Sequence, residues 1–226
     1  MSDRWATFDC YGTLIDWNGG IRSVMARVFG EPEADQKLKQ YHQIEPRLEH
    51  DGRRTYREIL TMAMRELGAP ASEVPTLAAS LPSWPPFPEV PEALRSLRAS
   101  GWRLAILSNT DRDYIEASLA AIGVPVDLTI VASEIGSYKP AANHWEAFFR
   151  RTGADPRAHV HVAASLYHDI APAAALKLRA IWINRLAETS ALPRAAELMD
   201  LSQLPSLLDA LARDSPGNRR RATGEV

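Results

Sequence analysis

Short apolar runs, each closed by a polar turn, recur through the last two thirds of the chain. Arg103-Leu-Ala-Ile-Leu107 ends on Ser108-Asn109-Thr110-Asp111 and reads as a buried strand. Leu128–Val131, His159–Ala163 and Ala180–Ile183 repeat the pattern. Between them the apolar positions change to helical spacing. Tyr114, Ile115, Leu119 and Ile122 fall on one face of 111–122 and Gly123 closes it, while Trp145, Phe148 and Phe149 do the same for 143–152 before Gly153. A shorter helix is expected over 170–178. This alternation predicts a doubly wound α/β fold, a parallel sheet with helices on both faces. One more strand opens the chain, Trp5-Ala-Thr-Phe8, and runs straight into Asp9 and the turn Tyr11-Gly12-Thr13.

Residues 18–80 follow a different rhythm. Helical patterns cover 21–29, 35–50, 56–67 and 72–81, with no strand signal among them. The segment ends in Leu81–Pro91, which carries five prolines in eleven residues. Proline removes a backbone donor and restricts its neighbour, so this stretch reads as a linker. The expected organisation is an α/β core of residues 1–15 and 88–226 interrupted by a helical cap, 16–87, lying over the strand ends as a lid. The arginine-rich tail, 214–226, reads as a disordered end.

Composition narrows the function classes. With 26 basic against 28 acidic residues the formal charge is −2, which gives no global field to attract nucleic acid. Cys10 is the single cysteine, so an internal disulfide framework is excluded and a reducing compartment fits. There is no apolar run of membrane-spanning length and no leader pattern. The simplest expectation is a cytoplasmic protein with neither membrane nor nucleic-acid partner; self-association into a homodimer stays open.

The chemistry sits just after the predicted strands. Asp9 with Tyr11 and Thr13, Ser108 with Asn109, Lys139 in Ser137-Tyr-Lys-Pro140, and Ser165 with His168 and Asp169 all fall there. In a doubly wound sheet such positions converge on one crevice outside the carboxyl ends of the strands. Asp9 can serve as a nucleophile, because carboxylates form covalent ester intermediates. A lysine nearby favours its ionised form. Taken singly, each residue has a plainer reading as a turn, helix cap or surface charge. His159 and His161 share one face of a strand and suggest a metal pair, but no third ligand accompanies them.

The ordered set Asp9-Cys-Tyr-Gly-Thr13, Ser108-Asn109, Lys139-Pro140 and a final Asp169 resembles the haloacid dehalogenase superfamily. Tyr11 at the third motif position, with Trp-Ile-Asn-Arg at 182–185, is similar to its 2-haloacid dehalogenase branch. The resemblance implies Asp9, Thr13, Lys139 and Asp169 as catalytic residues. It also implies Cys10, Tyr11, Ser108, Asn109, Ser165 and His168 as the substrate-contacting set, although strand alternation turns the Cys10 side chain toward the core. It implies a small carboxylate substrate, with no cofactor and no metal. Phosphatases of the superfamily carry a second Asp two residues after the nucleophile to protonate a leaving alkoxide. Tyr11 cannot supply that acid, and Ala164 stands where a metal-binding carboxylate is usual.

The departures matter as much. The branch's halide-receiving Arg, counted 31 residues on from Asp9, becomes Gln40, with Lys39, Tyr41, His42 and Arg47 as neighbouring substitutes. The last motif shows Ala164 and Leu166 in place of a Ser and an Asn, and an expected aromatic hydroxyl becomes Trp145. These changes keep three alternatives open: a hydrolase of another small carboxylate with a different leaving atom, a phosphatase, and a catalytically idle binding protein.

Overall fold

The computed structural model describes residues 3–50 and 52–213. Six parallel strands form one sheet in the order β3-β2-β1-β4-β5-β6: β1 Arg4–Phe8, β2 Trp102–Ser108, β3 Leu128–Val131, β4 His159–Ala163, β5 Ala180–Ile183 and β6 Ala196–Leu198. The chain builds outward from β1 through β2 to β3, then returns to β1's other side for β4. The order therefore reverses at the β1/β4 boundary, where sheets of this kind open a ligand crevice. Asp9 stands at that boundary, its backbone N–H donating to Val162 O at 3.1 Å.

Alternation along the central strands explains the two covered faces. Ala6, Phe8, Leu104, Ile106, Val160 and Val162 pack into the larger apolar cluster. Trp5, Ala105, Leu107, Ile130, Trp145 and Phe148 form a second cluster on the opposite face. Phe8 and Phe148 are essentially fully buried, a burial that stabilises by about 1.5–3 kcal/mol for each such side chain. The flanking helices are α5 Val90–Ala99, α6 Arg112–Ile122, α7 Ala132–Ile135, α8 Asn143–Thr152, α9 Ala171–Ala175 and α10 Leu204–Arg213.

Between β1 and α5 the described residues form helices, turns and two isolated bridges but no strand; the helices are α1 Trp17–Phe29, α2 Ala34–Glu49, α3 Tyr56–Glu66 and α4 Thr76–Ser80. They pack on one another, α1 against α2 and α4, and α3 against α2 and α4. Gly20 on α1 lets the Trp84 indole lie against the helix; any Cβ there would collide with it. Thr55 and Glu58 form a reciprocal capping box that starts α3. The two segments joining this layer to the sheet run side by side, with Asp16 N donating to Pro85 O and Phe87 N to Leu14 O, each at 3.0 Å. At the layer's other edge the Asp111 carboxylate, at the start of α6, accepts the N–H groups of Tyr56 and Arg57 at 2.9 Å each.

Several expectations need correction. The proline-rich stretch is not wholly a linker: Pro91 sits in the first turn of α5, where its missing N–H costs nothing. The helix expected over 72–81 shrinks to α4 because Pro75 can start a helix but not continue one. The helix expected over 170–178 shortens to α9, preceded by a wide turn, Leu166–Ile170. Strand β6 and helices α5 and α10 are additional elements. The tail 214–226 lies outside the described residues. Among those described, no helix is long and apolar enough to cross a membrane.

Candidate active site

Asp9 follows β1 directly, and the chain must then turn sharply away from the sheet. Gly12 makes the turn possible by adopting φ +87°, a conformation that side-chain-bearing residues rarely take. The turn folds Thr13 back so that its hydroxyl donates to Asp9 Oδ2 at 2.8 Å. Ala164 N, just past β4, donates to the same Thr13 oxygen at 2.9 Å. Thr13 thus ties the ends of the two switch-point strands together and orients one oxygen of Asp9.

The other Asp9 oxygen meets Lys139. The Lys139 ammonium spends its three protons on Asp9 Oδ1 at 2.8 Å, Asp169 Oδ1 at 2.7 Å and Leu107 O at 2.9 Å. It is only 1% exposed, so this is a buried charge fully satisfied by geometry. Asn109 holds the backbone on which Lys139 sits: its Oδ1 accepts from Lys139 N at 2.7 Å and its Nδ2 donates to Lys139 O at 3.0 Å. Asp169 is completely buried; its Oδ1 also meets His161 Nε2 at 3.0 Å, and its Oδ2 has no hydrogen-bond partner among the described residues.

Charge follows from this arrangement. Burial would lower the Lys139 ammonium, but the two carboxylates outweigh it and hold the lysine charged. Burial would raise Asp169, yet Lys139 and His161 together press it well below the usual carboxylate range. Asp9 is pushed up, first by burial and then by the Asp169 charge, against the pull of Lys139 and Thr13. One cation serves two carboxylates, and His161 gives Asp169 a further donor.

Above this floor opens a cavity of about 540 Å³, within the range of small-molecule sites. Asp9, Tyr11, Ser108, Asn109, Lys139, Ser165, His168 and Asp169 all line it, so eight of the ten expected residues are brought together. Thr13 acts from behind Asp9. Cys10 is a correction: its thiol is fully buried in the apolar core and does not reach the cavity, as strand alternation requires. Tyr11 contributes its ring only, since its hydroxyl bonds Ser118 Oγ at 2.9 Å. Trp145 also lies away from the cavity, packed edge-on against His161 at 5.3 Å.

The far wall of the cavity comes from α1 to α3 and holds residues that sequence reasoning missed. Trp17, Tyr56, Glu45 and Glu49 line it. Tyr41 and Tyr56 both donate to Glu45 Oε1, at 2.9 and 2.7 Å. Glu49 faces the core, with Oε2 at 3.2 Å from His168 Nε2 and weaker contacts to Asn109 Nδ2. Burial and the neighbouring Glu49 raise Glu45 to about 7. His168 moves up as well: burial opposes its charge, and Glu49 overcomes that opposition. A repeat of four, Tyr41-Glu45-Glu49, is visible in the chain, but its sense depends on which way α2 is turned.

Gln40 is absent from the cavity lining, which overturns the count that placed it at the halide. Lys39 and Arg47 are exposed, and Arg47 pairs with Glu66 instead. Of the substitutes considered, only His42 lines the cavity, stacked on Trp17 at 5.1 Å, and burial lowers its pKa and so disfavours a cationic role. Arg185, on the loop after β5, does line the cavity but is engaged by Glu89 and Thr13 O.

The family model for haloacid dehalogenase-like hydrolases matches residues 4–177. The chain belongs to that family. This hydrolase is 27% identical over 223 residues to (S)-2-haloacid dehalogenase 1 of Pseudomonas sp. (strain CBS-3), covering 91% of this chain and 96% of that protein. The solved structure of the L-2-haloacid dehalogenase from Xanthobacter autotrophicus superposes with a TM-score of 0.77 at 19% identity, over 92% of this hydrolase and 98% of that chain; at that identity it speaks for the fold. A shorter likeness, 30% over 101 residues and 44% of this chain against 45% of the other, is to the glyceraldehyde 3-phosphate phosphatase of Methanothermobacter thermautotrophicus.

Proposed function

We propose that this hydrolase is a metal-independent dehalogenase of a 2-haloacid, working through an ester on Asp9 beneath a cap formed by residues 16–87. The carrying observation is the Asp9–Lys139–Asp169 bridge. A single ammonium takes the place between the two carboxylates, Tyr11 points its hydroxyl away, and Ala164 offers no oxygen ligand from its side chain. In the first step the substrate carboxylate rests against Ser108, whose hydroxyl has no partner among the described residues. An Asp9 oxygen attacks C2, the carbon–halogen bond breaks, and halide departs with the bonding pair. A halide needs no proton, which suits a site without a general acid beside the nucleophile.

Water then attacks the Asp9 Cγ and passes a proton to Asp169 Oδ2. The ester C–O bond breaks, the released alkoxide takes that proton, and the regenerated Asp9 carboxylic acid loses its own to solvent. Two easier displacements replace one difficult one. Lys139 compensates the carboxylates throughout and steadies the tetrahedral oxyanion.

The acidic wall favours a second reading. Glu45 and Glu49 stand where a departing anion would prefer a cation, which supports a related hydrolase of a small carboxylate with another leaving group. One screen separates the readings. Halide release is measured over 2-chloro-, 2-bromo- and 2-fluoro-acids, beside phosphate release from small phosphomonoesters, each with chelator or magnesium. Chelator-resistant halide release supports the first reading. Phosphate release that needs magnesium defeats it, and product from a non-halogenated ester alone selects the second.

A further inference from the structure

Beneath the floor three buried polar groups that the two-step reaction does not use run in a chain to Asp169. Thr7 on β1 points into the same face of the sheet as His159 and His161 on β4, and its Oγ1 lies 2.8 Å from His159 Nε2 and 2.8 Å from His161 Nδ1. His161 Nε2 then reaches Asp169 Oδ1 at 3.0 Å. All four residues are completely buried. Parallel register explains the convergence, since Thr7 lies directly opposite His161 and Trp5 opposite His159.

The protons on this chain can be assigned. A carboxylate only accepts, so His161 Nε2 must carry a hydrogen to bond Asp169. Thr7 has one proton and, among the described residues, no acceptor other than the two imidazoles, so one histidine accepts from Thr7 and the other donates to it. If His161 were the donor, it would be doubly protonated and His159 would carry its hydrogen on Nδ1, which has no partner among the described residues. Buried N–H groups are left unpaired far less readily than acceptors. The remaining order is His159 Nε2–H to Thr7, Thr7 O–H to His161 Nδ1, and His161 Nε2–H to Asp169, every donor directed at the acid.

We infer that His161 is a positioning residue for ester hydrolysis: through its Nε2–H it fixes Asp169 by one oxygen, leaving Oδ2 to take the proton of the attacking water. This rests on the role given to Asp169 above. It also supplies a function for the histidine pair, which belongs to no metal-holding group among the described residues, and offsets the loss of the Ser and Asn that Ala164 and Leu166 replace. His161 acts after the halide has gone, so its loss should slow only the second step.

The test follows both steps on a 2-bromo-acid that the wild type turns over. His161→Phe should keep a halide burst of one per enzyme, accumulate the Asp9 ester by intact mass, and lower kcat by about tenfold or more, below the 10²–10⁴ of a lost general base. His161→Gln, which retains a donor near the Nε2 position, should recover most of that loss. Thr7→Val, nearly isosteric, should give a smaller loss of the same kind. Nitrogen-15 NMR of the wild type should show His161 as the Nε2–H tautomer. Equal losses for Phe and Gln at unchanged thermal midpoint would reduce His161 to packing, and an unchanged kcat in His161→Phe would overturn the inference outright. If the wild type releases no halide from any acid, the parent reading fails; the tautomer still decides the bond, and an Nδ1–H form at His161 overturns it.

Discussion

The floor of the cavity and its far wall are built on opposite plans. On the floor, strand ends place Asp9, Lys139 and Asp169 in one bridge, with an opposite charge or donor for nearly every lone pair. On the wall, α2 presents Glu45 and Glu49 with tyrosine hydroxyls, a histidine and an amide around them, and no free cation among the described lining residues. The floor is set up to hold charge in a fixed place. The wall keeps one carboxyl near its titration point. The difference teaches that the residues of the ordered motif sit where the sheet dictates position, while the place of the wall's carboxylates depends on how α2 docks.

Breaking the floor should have the largest effects. Asp9→Asn should lower turnover by about 10³-fold or more, the scale seen when a covalent nucleophile is removed. A wild-type single turnover in ¹⁸O water should place the label in Asp9 itself; label found only in product would replace the covalent route by direct water attack. Lys139→Met strands two buried carboxylates and should cost roughly 3–5 kcal/mol of stability, read by denaturant unfolding. A loss under 1 kcal/mol would mean that the bridge contributes little to holding the fold.

The wall should answer to pH instead. Glu45 is raised to about 7 in the folded protein, above its ordinary 4.5, so the folded state holds a proton that the unfolded state has released between those values. Its contribution is therefore fully present below about 4.5 and is lost as pH rises through about 7, a change on the order of 3 kcal/mol. Unfolding followed over this range should show that decline in the wild type and a flatter profile in Glu45→Gln. A decline of equal slope in both would assign it to other groups. The smallest effect belongs to Gln40→Arg. Outside the cavity, it should change halide release and stability by no more than about 0.5 kcal/mol, as surface substitutions usually do. A large gain in chloride release would show that the helix reaches the substrate by a movement.

How much could be read in advance follows the same division. Asp9, Ser108 and Asp169 were legible because a parallel strand must end on the crevice side, and polar residues after apolar runs mark those ends. Lys139 was legible through its place in the ordered motif, although it sits on a loop. Gln40 failed because the 31 residues from Asp9 cross a turn, α1 and the one-turn helix Glu31–Glu33, so counting does not preserve the face of α2. Glu45 and Glu49 look like ordinary solvated residues until α2 is docked. At the carboxyl end, β6 is three residues long and only partly buried, which leaves no alternation to detect. Helix α10 does carry amphipathic spacing in Leu204, Leu207, Leu208 and Leu211, beside a tail whose composition dominates that end.

The turn Ser108-Asn109-Thr110-Asp111 concentrates an unusual number of duties in four consecutive residues. Ser108 lines the floor, Asn109 braces the lysine loop and touches Glu49, and Asp111 receives the first amides of α3. Insertions are absorbed best where the backbone and side chains serve no distant partner. One extra residue here would withdraw the site, the lysine and the helical layer from register together, because none could be repositioned without the others. A library of single-residue insertions carried along the whole gene should therefore recover viable members in many surface turns and leave a gap at this one.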